Sequence, residues 1–197
     1  MKSVMGWWFC VNNKFPHGDD RKVEIGKTHI IKGEIIPCRN GLHLSKNIID
    51  ALQYANGNII YKVKGRGIII PHGNPTDKYV CSHRKYLAGG IDIEDVLREF
   101  ARMCALDVIN LWPAPDVVVE YLKTGNVELR ASAWASARDS AWDSAWASAW
   151  ASAWDSAWDS ARASAASAAA WDLTEKKQNK RLHRMVMRKI KAKKDTE

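Results

Sequence analysis

Residues 131–172 read ASAWASARDSAWDSAWASAWASAWDSAWDSARASAASAAAWD. The four-residue unit Ala/Asp-Ser-Ala-Trp/Arg recurs through this stretch, which holds seven of the ten tryptophans in the 197-residue chain. A fixed internal period has to be interpreted before the flanking sequence, because each repeat becomes one structural unit of the fold. The fold class that the sequence predicts therefore depends first on this stretch.

The repeat is predicted to be helical. Alanine is the strongest helix former, and the chain contains no Gly or Pro after Gly125. A period of four exceeds the helical turn of about 3.6 residues, so the large side chains drift around the helix by about 40° per unit. A partner must wrap around this stripe, the helix must supercoil to the right, or kinks must reset the phase. A β-solenoid is the alternative shape, which the Ala and Asp content disfavours.

The tryptophans of the repeat predict a buried face. A buried Trp removes roughly 150–250 Å² from water, and a row of exposed ones would exceed the apolar patch that monomers usually tolerate. We expect the stripe to pack on the N-terminal domain, on a second copy or on a target protein. The five Asp and two Arg in this stretch argue against a phosphate backbone running along it. The predicted partner-binding residues are Trp134, Trp142, Trp146, Trp150, Trp154 and Trp158.

The predicted fold class is α+β. A small N-terminal mixed domain has strands first and helices after, and it is followed by a long Ala/Trp-rich α-helical repeat and a basic C-terminal helix. The predicted boundaries are 1–125 for the α+β domain, 126–171 for the repeat and 172–197 for the basic amphipathic helix or tail.

Apolar runs and turn residues place the elements within these boundaries. Strands are predicted over 4–11, 23–25, 28–36, 42–44, 58–64 and 67–70, and residues 71–77 are a loop. Helices are predicted over 46–55 after a Ser45 cap, from an Asp92 cap to about Trp112, and up to Gly125. Asn126 is predicted to cap the repeat helix, and the capping-box pattern at 172–175 is predicted to start another helix.

The formal net charge of +8 is concentrated at the end of the chain. Residues 175–197 contain ten Lys and Arg against three acids, a net charge of +7. Basic amphipathic helices bind nucleic acids, anionic membranes or acidic partners. A solvated terminus that keeps the protein soluble is the first interpretation, and among functional partners nucleic acid is favoured because the apolar edge is narrow and lacks aromatics. The predicted nucleic-acid-binding residues are Lys176, Lys177, Lys180, Arg181, Arg184, Arg188, Lys189 and Lys191.

The four cysteines have no Cys-x-x-Cys spacing, and the chain shows no signal peptide and no apolar run that could span a membrane. These features predict reduced thiols in a cytoplasmic protein. A metal site could be composed only from Cys38, His43, Cys81 and His83. Their spacing matches no common zinc module, so no metal is predicted.

An enzymatic alternative comes from Gly41-Leu-His-Leu-Ser45, Ala51-Leu-Gln-Tyr-Ala55 and the predicted strand over 58–64. This order resembles the strand–helix–strand segment of ADP-ribosyltransferase-like domains, with His17-Gly18 as an upstream pair. The resemblance implies NAD as a cofactor and makes His17, His43 and Tyr54 the candidate catalytic residues, with Tyr54 stacking on nicotinamide. The family's late glutamate has no counterpart in this sequence.

A broader resemblance covers most of the chain. The chain resembles a group of uncharacterised bacteriophage proteins in the order of its segments. These are Gly41–Ser45 and Ala51–Ala55, then Asp95-Val-Leu-Arg-Glu-Phe-Ala-Arg-Met-Cys-Ala-Leu-Asp-Val-Ile, then Val119-Glu-Tyr-Leu122 and the Ala/Trp/Asp/Arg repeat. That resemblance implies a phage-encoded protein in the cytoplasm of a bacterial host. The leading hypothesis is a non-enzymatic interaction or assembly protein acting through the Trp-rich helix. An NAD-binding or ADP-ribosyltransferase-like domain and a nucleic-acid-binding accessory protein are the alternatives.

Overall fold

The computed structural model describes residues 2–15, 21–107, 109–111, 113–137 and 160–196, without the side chains of 111 and 160–173. The chain forms two compact units. One consists of Met1–Val96 together with Asn179–Glu197, and the other of Leu97–Gln178.

A five-stranded antiparallel sheet forms the first unit. Its strands are β1 (Ser3–Cys10), β2 (Thr28–Ile30), β3 (Leu42–Leu44), β4 (Ile59–His72) and β5 (Lys78–Asp92). The long strands β4 and β5 pair with each other, β1 pairs with the other edge of β4, and β2 and β3 share the other edge of β5. Breaks in register between β4 and β5 mark bulges, which bend a sheet and increase its twist.

The sheet curls around an interior core. Trp7 on β1 exchanges two backbone hydrogen bonds with Ser45, the residue after β3, at 2.8 and 3.1 Å. This bridge connects β1, at one edge of the sheet, to the end of β3, at the other edge. Alternate strand residues point to opposite faces, so one face of each strand lines the interior. The interior core consists of Val4, Cys10, Val23, Leu42, Leu44, Tyr61, Val63, Cys81 and Tyr86.

Two helices accompany the sheet in the first unit. Helix α1 (Ile48–Gln53) follows β3, and the C-terminal helix (Ser160–Lys194) belongs to this unit from Asn179 onward. Leu182, Val186 and Ile190 recur every four residues on one edge of that helix and are 0–4% exposed. The predicted apolar edge of the basic helix is therefore buried within the unit.

The second unit contains short helices. Helix α2 (Glu94–Leu106) starts at Asp92, whose carboxylate accepts a hydrogen bond from the Glu94 amide at 2.8 Å. A 3-10 turn (Ile109–Leu111), helix α3 (Asp116–Thr124) and a second 3-10 turn (Val127–Leu129) follow, and residues 130–137 are helical.

Several local predictions are confirmed. Strand 42–44 and the Asp92 cap lie where the sequence placed them, and Gly125 ends α3 in the left-handed conformation with φ of 69°. The Asn126 side chain accepts a hydrogen bond from the Glu128 amide at 3.0 Å, but it caps a 3-10 turn, so the prediction that it caps a long repeat helix is wrong.

Other local predictions are wrong. The predicted strand over 28–36 shrinks to Thr28–Ile30, and the two strands over 58–64 and 67–70 are one continuous strand, β4. Ser45 does not cap α1, because the helix begins at Ile48 and its cap residue is Asn47. The capping-box pattern at 172–175 lies inside the C-terminal helix, because the Ala-rich residues before it already propagate that helix.

The predicted fold class is also wrong. The N-terminal part is an antiparallel five-stranded sheet accompanied by a few helices. No long Ala/Trp-rich repeat helix is seen in the described residues, and the long helix observed is the C-terminal one. The prediction for 138–159 lies outside the described residues. The basic helix is not an appended tail, because burial of its apolar edge incorporates it into the sheet unit.

Candidate functional site

A row of exposed cations lies on the C-terminal helix. Lys180, Arg184, Arg188 and Lys191 are exposed and recur at intervals of four, four and three residues. At about 100° per residue they occupy one face, opposite the buried edge of Leu182, Val186 and Ile190. The row is about 16 Å long, since a helix rises about 1.5 Å per residue. These four side chains are called the basic face below.

The basic face is positioned by contacts on the other side of the same helix. The Asn179 carboxamide oxygen accepts hydrogen bonds from the backbone amides of Ile48 and Ile49 at 3.0 and 3.4 Å. Its amide group donates to the Asn47 side chain at 3.3 Å. The first amides of a helix have no partner within that helix, so Asn179 caps α1 from a distant part of the sequence. The ring of His183 packs edge-on against Trp7 with centroids 5.4 Å apart.

The remaining predicted nucleic-acid-binding residues have other surroundings. Lys189 forms an ion pair with Asp95, and this hydrogen bond lowers the pKa of the Asp95 carboxyl. Lys177 pairs with Asp107 at 3.3 Å, Arg181 is half-buried, and Lys176 is exposed. Among the described residues, none of the four members of the basic face takes part in an ion pair. Their charge is therefore available to an external anion.

A small cavity lies beside β1, β3 and the end of α1. Its volume is about 290 Å³. Most of its wall is apolar or aromatic, and its polar residues come from the loop before β3, from β3, from the segment after α1 and from the start of β5. It is lined by Trp7, Trp8, Phe9, Cys38, His43, Leu44, Ser45, Ala51, Tyr54, Asn56 and Lys78. Two of the predicted catalytic residues, His43 and Tyr54, thus lie in one cavity, whereas His17 lies outside the described residues.

His43 is uncharged in this cavity at neutral pH. Burial lowers the pKa of its imidazole to about 4, with further contributions from the positive charges of Lys78, Arg84 and His72. Its Nε2 atom is buried and has no hydrogen-bond partner among the described residues. Leu42 and Leu44 point into the interior core, so the intervening His43 faces the opposite side of β3, toward the cavity.

Lys78 is the cation of the cavity. The residue is only 9% exposed. Its ammonium lies 4.1 Å from the centroid of the Tyr54 ring and 3.7 Å from the Cys38 sulfur. The Tyr54 hydroxyl donates a hydrogen bond to Asp77, which raises the pKa of Tyr54 to about 12. Among the described carboxylates, none forms an ion pair with Lys78.

The structure does not assemble the candidate metal ligands. The Cys81 thiol donates to the Leu42 carbonyl at 3.1 Å in the interior core, where burial raises its pKa to about 11. The His83 ring is hydrogen-bonded to Ser82 at 2.8 Å, and Cys38 and His43 line the cavity. Within the described part of the chain, no three His, Cys, Asp or Glu side chains are grouped so that they could hold a metal ion.

The predicted Trp stripe is mostly beyond what the structure describes. Trp142, Trp146, Trp150, Trp154 and Trp158 lie outside the described residues. Trp134 is 68% exposed and borders an apolar groove with Val118, Tyr121, Leu122 and Val127 of the second unit. The partner-binding role of these tryptophans stays a prediction.

Sequence reasoning missed Lys78 and Asn179. Lys78 opens β5, a strand for which the sequence analysis predicted no element, and Asn179 acts on residues 131 positions earlier in the chain. The only local indication of this contact was that Asn179 is a polar residue one turn before the apolar edge that begins at Leu182. Neither contact could be inferred without the pairing of distant segments.

Residues 11–99 match a family model described as "Domain of unknown function (DUF7666)". The match includes β2 to β5 and the cavity residues from Cys38 to Lys78, and it excludes β1 and the C-terminal helix. A search of curated proteins and a search of solved structures each found no match. These comparisons confirm neither the bacteriophage resemblance nor the ADP-ribosyltransferase resemblance. None of the described helices is long and apolar enough to cross a lipid bilayer.

Proposed function

We propose that this protein binds double-stranded nucleic acid through the phosphate backbone, using the basic face of its C-terminal helix. The observation that carries the proposal is the row of Lys180, Arg184, Arg188 and Lys191 opposite a buried apolar edge. Cations in a line attract phosphates and release the counterions condensed on them. The predicted role of the basic segment thus becomes a role for four particular side chains.

The burial of the apolar edge favours nucleic acid over a membrane surface. An interfacial helix binds a bilayer by inserting its apolar face between the headgroups. Leu182 and Val186 are fully buried and Ile190 is 4% exposed, so the apolar edge over 174–194, where the side chains of this helix are described, is already covered. Phosphates need only the opposite, charged face.

The composition of the basic face favours a duplex over a single strand. Proteins that hold single strands stack the bases on exposed aromatic side chains. The large aromatics exposed in the described residues are Tyr54 and Trp134, and neither is on the C-terminal helix. A face made of cations alone contacts the backbone without reading base edges, so binding should be independent of sequence.

The salt dependence of binding tests the proposal. Fluorescence anisotropy of a labelled 20-base-pair duplex, measured over a series of salt concentrations, gives the slope of log K against log[salt]. Four phosphate contacts predict a slope of about −3.6, since each contributes about −0.9. Changing Arg184 and Arg188 to Gln should reduce the slope by about 1.8.

A matched control separates the basic face from net charge. Lys22 and Lys27 are exposed in a segment that is anchored by Val23, a residue of the interior core. Changing both lysines to Gln removes two positive charges, as many as the change of Arg184 and Arg188 removes. The control variant should keep the slope of the unmodified protein. Equal slopes for both double variants, or no binding at low salt, would rule out the proposed face.

We place this activity in the cytoplasm of a bacterial host. The support is the resemblance to bacteriophage proteins and the thiols of Cys10 and Cys81, which are free and buried in the core. Free thiols in a folded core suit a reducing compartment. Dinucleotide binding at the cavity, which the ADP-ribosyltransferase resemblance implies, stays an alternative that His43 and Tyr54 support by their shared position.

A further inference from the structure

The cavity beside β3 contains two buried polar groups whose interactions are incomplete. The Lys78 ammonium has a sulfur and an aromatic ring as neighbours and no described carboxylate as an ion-pair partner. The Nε2 atom of His43 has no hydrogen-bond partner among the described residues. A buried polar atom without a partner costs about 1–3 kcal/mol, so such atoms in native proteins call for an explanation.

Lys78 and His43 belong to the same cavity. Lys78 is the second cause, after burial, of the lowered pKa of His43, so their charges are close enough to interact. At neutral pH the pair presents one positive charge and one neutral imidazole that can donate or accept a hydrogen bond. An anion beside Lys78 would give its ammonium a charged partner.

The aromatic walls of the cavity indicate the nature of the uncharged part of the ligand. Trp7 and Phe9, which are 3% exposed, and Tyr54 place aromatic surface around the polar groups. Planar rings pack well against such walls. The volume of about 290 Å³ is at the small end of the range of about 300–1,000 Å³ for ligand sites. A volume of this size suits a single-ring compound.

We propose that this cavity binds a small planar aromatic carboxylate, with the carboxylate on Lys78 and the ring against Trp7 and Tyr54. Cys38 marks the mouth, because it is an exposed residue on the cavity wall. This ligand site is independent of the basic face and of nucleic-acid binding.

Calorimetric titration of the full chain tests the charge requirement, with benzoate as the probe and benzamide as its neutral analogue. Benzoate should bind saturably and at least about tenfold more tightly than benzamide, because the ion pair with a buried ammonium is charge-assisted. Changing Lys78 to Met should remove this preference, whereas Lys64→Met, which alters a half-buried lysine on β4, should retain it. Circular dichroism establishes that each variant is folded.

A protection experiment on the unmodified protein covers the case in which the Lys78→Met variant does not fold. Saturating benzoate should slow alkylation of Cys38 by iodoacetamide at least about threefold, measured by peptide mass spectrometry, because the bound ring lies next to that thiol. Cys104, half-buried in the second unit, is the internal control and should react at an unchanged rate. Equal binding of benzoate and benzamide, an absence of Cys38 protection, or saturation by NAD without saturation by benzoate would overturn the proposal.

Discussion

At the scale of single residues, a buried arginine occupies the interior of the sheet. Arg84 is 2% exposed, and its guanidinium lies 3.8 Å from the centroid of the Trp8 ring. It donates to the Tyr86 hydroxyl from two nitrogens, at 3.2 and 3.0 Å, and to the His43 carbonyl at 2.6 Å. Burial lowers the pKa of the guanidinium. The neighbouring tyrosine and cysteine groups act in the opposite direction and raise it. Aromatic faces and neutral acceptors thus take the place of an acid.

We expect Arg84→Lys to destabilise the fold by about 2 kcal/mol. A lysine ammonium is more strongly hydrated than a guanidinium, and it cannot reproduce the planar stack on Trp8 or the three hydrogen bonds. Urea denaturation gives the free energy of unfolding. Arg66→Lys is the matched control, because Arg66 is exposed on β4, and it should leave stability within about 0.5 kcal/mol of the unmodified protein. A loss of unfolding free energy as small for Arg84→Lys as for Arg66→Lys would show that the stack on Trp8 and the three hydrogen bonds do not stabilise the fold.

The lowered pKa of His43 predicts that the fold loses stability in acid. Its pKa is about 4 in the folded chain and about 6.5 when unfolded, so the unfolded chain binds the extra proton between these values. Stability from this group is complete above about pH 6.5 and is lost as the pH falls toward 4. His43→Gln cannot titrate, so its unfolding free energy should decline less between pH 7 and pH 4.5. Parallel pH profiles for the two proteins, measured by urea denaturation, would show that His43 does not contribute.

At the scale of elements, Asn179 links two helices that are remote in sequence. The α1 cap residue Asn47 makes no capping hydrogen bond of its own, and Asn179 accepts from the first two amides of that helix instead. Asn179→Ala should lower the free energy of unfolding by about 1 kcal/mol, the usual effect of losing a helix cap. Gln178→Ala changes the adjacent position on the same helix and should have little effect. Equal losses for both variants in urea denaturation would mean that helix propensity, not capping, is responsible.

The elements also explain which parts of the fold the sequence predicts. Strand 42–44 has an apolar–polar–apolar alternation, and the Asp92 and Gly125 signals are local, so these were recovered. Strand β5 was missed because Lys78, Ser82 and Arg84 are buried, which removes the apolar pattern of a buried strand. Their burial depends on tertiary partners such as Trp8 and Tyr86. Of the residues that line the cavity, the sequence analysis singled out Cys38, His43 and Tyr54, whereas Lys78 reaches the cavity through β5.

At the scale of the whole molecule, one helix serves both folding and the proposed binding on opposite faces. Leu182, Val186 and Ile190 are buried in the sheet unit, and Lys180, Arg184, Arg188 and Lys191 are exposed. Deleting the helix would expose the apolar surface that it covers, so loss of binding after truncation could reflect unfolding. Point variants on each face can separate the two roles.

The two faces should respond independently to substitution. Leu182→Ala removes a fully buried side chain and should lower the free energy of unfolding by about 3 kcal/mol. Where this variant remains folded, its duplex-binding slope should equal that of the unmodified protein, because the cations are unchanged. Changing Arg184 and Arg188 to Gln should do the opposite, with unfolding free energy within about 0.5 kcal/mol and a flatter slope. Urea denaturation and salt-dependent anisotropy on the same samples measure both quantities. A folded Leu182→Ala protein with a flattened slope would show that binding depends on helix docking rather than on the basic face.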